Sequence, residues 1–341
     1  MPASFYFYTS VTRCSDLWVR PFEVGVVPRD RWRTGDFVAA EVIGEPNALY
    51  RCETKTGRIA ELLAGDRIIG ALGERAATLE GVGSWRAVGE DCELEVLTGA
   101  GLLGKATSTS LLLPSFMRLR YLGHAQRDGT ALNMTDFVAP VTVRGAPVPV
   151  ILVIGTSMSA GKTSSARILI RELRGLGLSV AAAKVTGAAR YRDILSFRDA
   201  GASAVFDFVD EGLPSTICSG EIYAAALDRL LARIAASEPD VVVIESGASP
   251  LEPYNGTLAL ARILPETRMT LLCASDPYAV VGVQIAFGLK PDLVAGPAAN
   301  TTAAVALVER LAGIPALNLM DSAARPALRA MLMDRLGIGE G

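Results

Sequence analysis

The stretch Val150–Thr163, which reads VILVIGTSMSAGKT, decides the fold of the second half of the chain. Its first five residues are all valine, isoleucine or leucine, which is typical of a buried parallel strand. A loop of glycine, small and hydroxyl residues follows, and a helix is predicted from Lys162 to about Leu173. Strand, glycine-containing loop and helix in this order form a setting in which backbone N–H groups and a helix N-terminus bind phosphate.

This loop predicts a nucleoside triphosphate site, with ATP and Mg²⁺ as the expected cofactors. Lys162 would bring its charge near the β and γ phosphates, and Thr163 would offer its hydroxyl to magnesium. The first glycine of a G-x-x-x-x-G-K-T pattern would fall at Thr156, whereas this chain has it one residue earlier. A chance glycine-serine loop before a helix is the alternative interpretation. The predicted nucleotide contacts on this stretch are Gly155, Thr156, Ser157, Ser159, Ala160, Gly161, Lys162, Thr163 and Ser164.

Beyond this stretch the sequence alternates apolar strands with helical segments. A long amphipathic helix is predicted over Glu221–Ala236. The alternation predicts an α/β fold, a doubly wound and mostly parallel P-loop sheet that binds ligands at the carboxyl ends of its strands. The further predicted strands are Ser179–Val185, Ala204–Val209, Val241–Ile244, Met269–Ala274, Asp292–Ala295 and Ala316–Leu319.

The first half has a different rhythm, with short apolar runs broken by Gly, Pro, Asn and Asp. This spacing predicts a smaller β-rich domain, a barrel or a sandwich, with one helix around Leu111–Leu122. The segment Val141–Val150 contains two prolines and a glycine, which favour extended chain, so we predict that it connects the two halves. We therefore expect a β-rich domain over 1–145, acting in substrate specificity or as a lid, and a P-loop NTPase domain over 146–341. Predicted strands of the first half are Asp36–Ile43, Ala48–Cys52, Arg67–Leu72 and Cys92–Leu97.

Composition narrows the classes of function. The net charge of -3 and pI near 5.5 provide no overall field for nucleic acid or an anionic membrane, so neither is expected as a partner. The N-terminal residues do not resemble a signal peptide, and no apolar run is long enough to span a bilayer, which predicts a cytoplasmic protein. Five scattered cysteines indicate reduced thiols, and the single histidine, His124, excludes a histidine-rich zinc site.

The G-T-x-x-x-x-G-K-T form of the loop resembles the dethiobiotin synthetase group of P-loop enzymes, which includes the cobyrinic acid amidating synthetases. It is still more similar to the C-terminal P-loop domain of the DUF1611 family, which is related to an N-acyltransferase of D-glutamate catabolism. The resemblance covers roughly Val150–Leu319. Dethiobiotin synthetase has no counterpart to residues 1–145.

Two segments after the loop carry this resemblance further. Lys184-Val185-Thr186-Gly187 is similar to a lysine-containing turn that touches substrate and phosphate in dethiobiotin synthetase. The resemblance implies that Lys184 neutralises charge during phosphoryl transfer, whereas the alternative is a surface lysine at a sheet edge. The strand Asp240–Glu245 ends in a carboxylate followed by a turn of small residues, which implies Glu245 as a magnesium ligand, with a structural helix cap as the alternative.

The sequence offers more than one interpretation for two further parts of this site, the second carboxylate and Asn300. A second carboxylate is expected between the second and fourth strands, where Asp207 competes with Asp193 and Asp199, and the latter two are our predicted metal ligands. Asn300 resembles the asparagine that recognises adenine in dethiobiotin synthetase, because its amide presents a donor and an acceptor. It could equally cap the following helix.

The resemblance implies an ATP- and Mg²⁺-dependent ligase that phosphorylates a small-molecule carboxylate or carbamate-like substrate, whose phosphate an amine then displaces. Lys162, Lys184 and Glu245 would be its catalytic residues. Two alternatives stay open: an N-acyltransferase of the DUF1611 type with a retained nucleotide site, and a nucleotide-switched binding protein or metallochaperone. Dethiobiotin synthetase-like proteins pair with a second copy, so a homodimer is expected as well.

Overall fold

The computed structural model describes residues 5–44, 51–142 and 147–339. The chain divides into two compact units, which are described one at a time. The predicted boundary near residue 145 lies outside the described residues. The first unit comprises Met1–Pro140, Ala188–Arg192 and Phe208–Ala226, and the second comprises Val141–Gly187, Asp193–Asp207 and Leu227–Gly341.

The first unit is β-rich, as predicted. Most of its strands are short, and 3-10 turns connect several of them. The strands are β1 Phe7–Tyr8, β2 Glu23–Gly25, β3 Phe37–Ile43, β4 Cys52–Glu53, β5 Ile59–Ala60, β6 Arg67–Leu72, β7 Glu74–Ala77, β8 Gly81–Ser84, β9 Glu93–Thr98, β10 Leu102–Thr109, β11 Arg118–Arg127 and β12 Thr130–Ala131.

Five of these strands form a closed ring. β3 pairs with β6, β6 with β10, β10 with β9, β9 with β11, and β11 with β3. The β6–β10 pairing is parallel and the other four are antiparallel. Inward side chains such as Val38, Ile68, Leu94 and Leu119 belong to one buried cluster. The sequence predicted a barrel or a sandwich, and the closed ring is a barrel. In a closed ring none of the five strands has a free edge.

The helix predicted around Leu111–Leu122 is wrong. Leu111 and Leu112 lie exposed in a loop, and the chain enters β11 at Arg118. Pro114 disfavours a continuous helix there, and from Arg118 exposed arginines alternate with buried Leu119 as a strand requires. Pairing with β3 and β9 then satisfies the backbone of β11 on both sides. The strand predicted over Ala48–Cys52 falls largely outside the described residues.

The rest of the chain alternates strands with helices. Helices α2 and α3 begin in the first unit and end in the second. The strands are β13 Val150–Gly155, β14 Val180–Thr186, β15 Ala204–Asp207, β16 Val241–Ser246, β17 Thr267–Cys273 and β18 Leu293–Ala295. The helices are α1 Lys162–Gly175, α2 Tyr191–Asp199, α3 Gly220–Ala236, α4 Gly256–Ile263, α5 Pro277–Phe287, α6 Thr302–Ala312 and α7 Arg325–Leu336.

The second unit contains one parallel sheet in the order β15-β14-β16-β13-β17-β18. The chain moves outward from β13 to β15 on one side, returns through β16, and continues to β18 on the other side. This reversal confirms the predicted doubly wound α/β fold and places the loop after β13 at the switch point, where ligands bind.

The strand predicted over Ala316–Leu319 does not form. A single β-bridge joins Ala316 to Val294 instead. Pro315 has no N–H to extend the pairing, and the chain turns away at Leu319. None of the helices in the described part of the chain is long and apolar enough to cross a membrane.

Candidate functional site

The loop after β13 surrounds the Lys162 side chain. Helix α1 begins at Lys162, directly after Gly161, whose backbone is left-handed with φ +91° and ψ +13°. Lys162 is buried, and its Nζ donates to the carbonyl oxygen of Ser157 at 2.7 Å. Desolvation by burial lowers the pKa of Lys162, and the neighbouring carboxylate of Glu245 opposes the shift. An ammonium group is thus held within the loop, where phosphate oxygens would compete for it with Ser157.

The displaced glycine of the loop has a local explanation. A Cβ on Gly155 would lie 2.8 Å from Cδ and 3.0 Å from Nζ of Lys162, so any larger residue here would force the lysine side chain to shift. Thr156, in the usual place of that glycine, is used differently. Its N–H donates to the carbonyl of Cys273 at 3.0 Å, and its Oγ1 accepts from the N–H of Ser275 at 3.1 Å. The departure from the common pattern therefore ties the loop to the end of β17.

Thr163 and Glu245 meet directly. The Oγ1 of Thr163 donates to Oε2 of Glu245 at 2.9 Å. Glu245 lies near the end of β16, the strand next to β13, and is only 2% exposed. Burial raises the pKa of Glu245, whereas the ammonium groups of Lys184 and Lys162 oppose that shift. A hydroxyl and a carboxylate beside a phosphate loop are oxygen ligands of the type that magnesium binds.

Lys184 lies on the next strand of the sheet. Its Cα pairs in register with Glu245, and its Nζ lies 2.5 Å from Oδ2 of Asp193. Lys184 is buried, so the interpretation as a surface lysine is wrong. Glycine at 247 is required, because a Cβ there would lie 2.2 Å from the carbonyl of Thr186 and 3.0 Å from Cε of Lys184. The turn after β16 thus packs against the lysine stem.

The candidate second carboxylates separate in the structure. Asp193, in the first turn of α2, reaches the site through Lys184. Asp199 is exposed at the last residue of that helix, about 9 Å further along the axis, so the structure does not bring it to the site. Asp207 is buried and pairs in register with Lys184, although our prediction did not select it. The register in which β15 pairs with β14 decides the place of Asp207, and the sequence pattern did not specify that register.

The predicted magnesium site has only some of its ligands on the protein. Among the described residues, no group of three His, Cys, Asp or Glu side chains is arranged to hold a metal ion. Thr163 and Glu245 supply one hydroxyl and one carboxylate, a set that magnesium usually completes with phosphate oxygens and water.

Asn300 is exposed and lies just after the turn Pro297–Ala299. Its interpretation as a helix cap is wrong, because Thr301 caps α6 and its Oγ1 accepts from the N–H of Ala304 at 3.2 Å. The carbonyl of Asn300 accepts from Nδ2 of Asn318 at 3.2 Å. The exposed side-chain amide is compatible with the predicted contact to a base.

The loop before Asn300 also supports the phosphate loop, a role that the sequence did not reveal. A Cβ on Gly296 would lie only 2.4 Å from the carbonyl oxygen of Ala160. Ala160 is buried at this contact, whereas Ser159 and Ser164 are exposed. Two neighbouring strand ends are joined as well, since the hydroxyls of Thr186 and Ser246 lie 3.1 Å apart.

Comparisons with known proteins give structural likenesses alone. No family model and no curated protein matches this chain. Chloroplast FtsY from Physcomitrella patens is 15% identical with a TM-score of 0.39, over 58% of this chain and 68% of that one. HypB from Helicobacter pylori, in complex with nickel, is 16% identical with a TM-score of 0.39, over 56% of this chain and 88% of that one.

A DUF1611 family protein from Anabaena variabilis is 16% identical with a TM-score of 0.37, over 58% of this chain and 62% of that one. A DUF1611 protein is thus among the structures that this chain resembles. These low TM-scores lend no weight to a functional argument, so the fold rests on the strand order and the site on its contacts.

Proposed function

We propose that the loop Gly155–Thr163 binds a magnesium-bound nucleoside triphosphate and that the site transfers its terminal phosphoryl group. The 2.9 Å hydrogen bond between Thr163 and Glu245, beside buried Lys162, carries this proposal. A P-loop nucleotide site needs a lysine for the phosphates and oxygen ligands for the metal within one small space. Magnesium at these oxygens would neutralise charge that develops on the phosphates.

The acceptor we propose is a small-molecule carboxylate, as in an ATP-dependent ligase. Its oxygen would attack the terminal phosphorus, the bond to the leaving nucleoside diphosphate would break, and an amine would then displace phosphate from the acyl phosphate. Lys184 supports this, because it is buried and pairs in register with Glu245 on the neighbouring strand. Charge fixed at a desolvated site stabilises a phosphoryl group in transit more than the same charge in water.

A nucleotide switch is the second candidate, and the path of the chain favours it. The segments Ala188–Arg192 and Phe208–Ala226 follow directly after the ends of β14 and β15, and both belong to the first unit. A change at these strand ends on hydrolysis would therefore act on backbone that continues into the other unit.

Nucleotide binding is tested by titration calorimetry of the full chain with ATP and GTP, with and without magnesium. Lys162→Ala should lose affinity, because the loop lysine contributes charge to phosphate binding. Asp199→Asn is the matched control, since it removes a charge at the exposed end of α2 and should bind as the wild type does. Equal affinity of wild type and a folded Lys162→Ala protein would overturn the proposed site.

The reaction is identified by a screen of amino acids and carboxylic acids for nucleoside diphosphate release. A ligase forms diphosphate in proportion to an amide product and only with both cosubstrates present. Slow hydrolysis that is indifferent to every small acid would instead favour the switch. Consumption of acyl-CoA without diphosphate would identify the acyltransferase alternative. We also propose that the protein acts in the cytoplasm on small molecules. Its net charge of -3 provides no overall attraction for nucleic acid, so we propose no nucleic-acid partner.

A further inference from the structure

A small cavity is lined by residues of helices α3 and α4 and of strands β13 and β16. Its volume is about 120 Å³. Val150 and Val242, which pair in register near the starts of β13 and β16, contribute to its wall. The cavity therefore lies at the amino ends of these strands, whereas the phosphate loop and Glu245 lie at their carboxyl ends. It is a site of its own, at the other end of the sheet from the proposed nucleotide site.

The wall of the cavity is apolar. Open space against aliphatic side chains leaves them without the dispersion contacts of a packed core, so an apolar ligand gains by filling it. A dry cavity of about 150 Å³ with such a lining holds a molecule of the size of benzene. This cavity is slightly smaller, and it fits a branched aliphatic group such as isobutyl. The larger aliphatic residues that line it are Val148, Val150, Leu231, Ile234, Val242 and Ile263.

Arg262 and Glu266 complete the lining, and they are its only charged residues in the described part of the chain. Arg262 pairs with Asp228 instead of Glu266. Its Nε donates to Oδ1 of Asp228 at 2.8 Å, and its Nη groups have no partner among the described residues. Glu266 is half-buried, and its carboxylate has neither an ion pair nor a hydrogen bond within the described ranges. A cation with spare donors and an unpaired anion thus lie beside one apolar space.

We propose that this cavity binds a free α-amino acid with a branched aliphatic side chain, for which L-leucine is the probe. The side chain would fill the apolar space, the Nη groups of Arg262 would donate to the carboxylate of the ligand, and its ammonium group would donate to Glu266. Charge complementarity selects this class, because an aliphatic acid would leave Glu266 unpaired and an aliphatic amine would leave the Nη groups of Arg262 unpaired. The proposal does not depend on the nucleotide site.

Titration calorimetry of the full chain with L-leucine tests the class of ligand. Glycine lacks the side chain, isocaproate lacks the ammonium group, and isoamylamine lacks the carboxylate. Each compound loses one of the three contacts, so each should bind at least about tenfold more weakly than leucine does. No binding of leucine at millimolar concentration, or equal affinity for leucine and isocaproate, would overturn the proposal.

Filling the cavity tests where the ligand binds. Ala235 on α3 lines the cavity, so Ala235→Leu should occupy it, abolish leucine binding and leave the affinity for ATP unchanged. Cavity filling commonly stabilises a fold, so this variant should remain folded. Ala236→Leu is the matched control, because Ala236 is the next residue of the same helix and is exposed to solvent, and it should bind leucine as the wild type does. Wild-type affinity for leucine in a folded Ala235→Leu protein would refute the proposed site.

Two charge variants test the roles of Arg262 and Glu266. Glu266→Gln removes the partner of the ammonium group, so leucine should lose about tenfold in affinity while isocaproate should bind no worse. Arg262→Gln should weaken the binding of both. Arg268→Gln is the matched control, since it removes an exposed arginine of β17, and it should change neither affinity. A Glu266→Gln protein that still prefers leucine to isocaproate as strongly as the wild type does would contradict the proposal.

Discussion

Replacing Gly296 with alanine should distort the phosphate loop from outside it. Gly296 has φ +82° and ψ -161°, a conformation that is almost restricted to glycine. The new Cβ would lie 2.4 Å from the carbonyl oxygen of Ala160, which is roughly 1 Å closer than an ordinary contact. Backbone cannot move aside as a flexible side chain can, so Ala160 and the adjoining Gly161 must shift.

The magnitude follows from these two terms. The backbone conformation alone costs about 1–3 kcal/mol, and relief of the overlap adds to it, so we expect a loss of about 3 kcal/mol or more. Gly288→Ala is the matched control, because Gly288 has φ +60° and open space around its Cβ. There the left-handed backbone costs about 1–2 kcal/mol, partly offset by the stiffer unfolded chain.

Thermal unfolding and nucleotide turnover together provide the assay. At about 2–4 °C per kcal/mol, Gly296→Ala should lower the Tm of its unit by about 6–12 °C, against about 2–4 °C for Gly288→Ala. A shift of 1 Å in the loop should also cut turnover about 100-fold in Gly296→Ala alone. If both variants lose the same small stability and turn over nucleotide at the wild-type rate, the loop before α6 does not support the phosphate loop.

Thr163→Val should raise the magnesium concentration needed for half-maximal turnover about tenfold, because only a hydroxyl ligand is lost, and a magnesium titration checks this. Glu245→Gln should lower affinity for the magnesium-bound nucleotide about 10–100-fold, whereas Lys184→Ala should bind it nearly normally and lose turnover about 100-fold or more. Full activity of both would make those residues structural.

Burial raises the pKa of Glu172, but hydrogen bonds from the arginines of α7 outweigh this and hold the pKa below its usual 4.5. The ion pairs of Glu172 with these arginines therefore stabilise the fold fully above pH 4.5. This stabilisation is lost as the pH falls through the lowered pKa of Glu172. Glu172→Gln should cost about 2 kcal/mol at pH 7, with the difference shrinking in acid, and denaturant titrations across pH measure it.

The core of the α/β fold could be predicted from local pattern. The strand and helix around the phosphate loop, the strand ending at Glu245 and the lysine after the second strand all lie in short segments with one dominant periodicity. Parallel topology then brings the ends of neighbouring strands to one edge of the sheet. The resemblance to dethiobiotin synthetase singled out Lys184 and Glu245, and the structure adds that their strands are neighbours on which the two residues pair in register.

What sequence missed depends on contacts between distant segments. The support of Ala160 by Gly296 joins two loops that are far apart in the chain. The place of Asp207 beside Lys184 depends on the register in which β15 pairs with β14. Pattern also failed around Leu111, where apolar residues suggested a helix and Pro114 with the alternation of β11 decided otherwise. Local propensity is a weak guide wherever strand pairing supplies the hydrogen bonds.

The interleaving of the two units constrains how this chain can be cut. A fragment starting at residue 141 would carry Phe208–Ala226 away from the rest of its unit, exposing buried side chains such as Phe208 and Tyr223. A fragment ending at residue 140 would leave the buried carboxylate of Glu53 without the N–H groups of Tyr191 and Arg192, which donate to it at 2.7 Å. Neither unit is contained in one continuous stretch of the chain, so a single cut near residue 140 cannot release either of them whole.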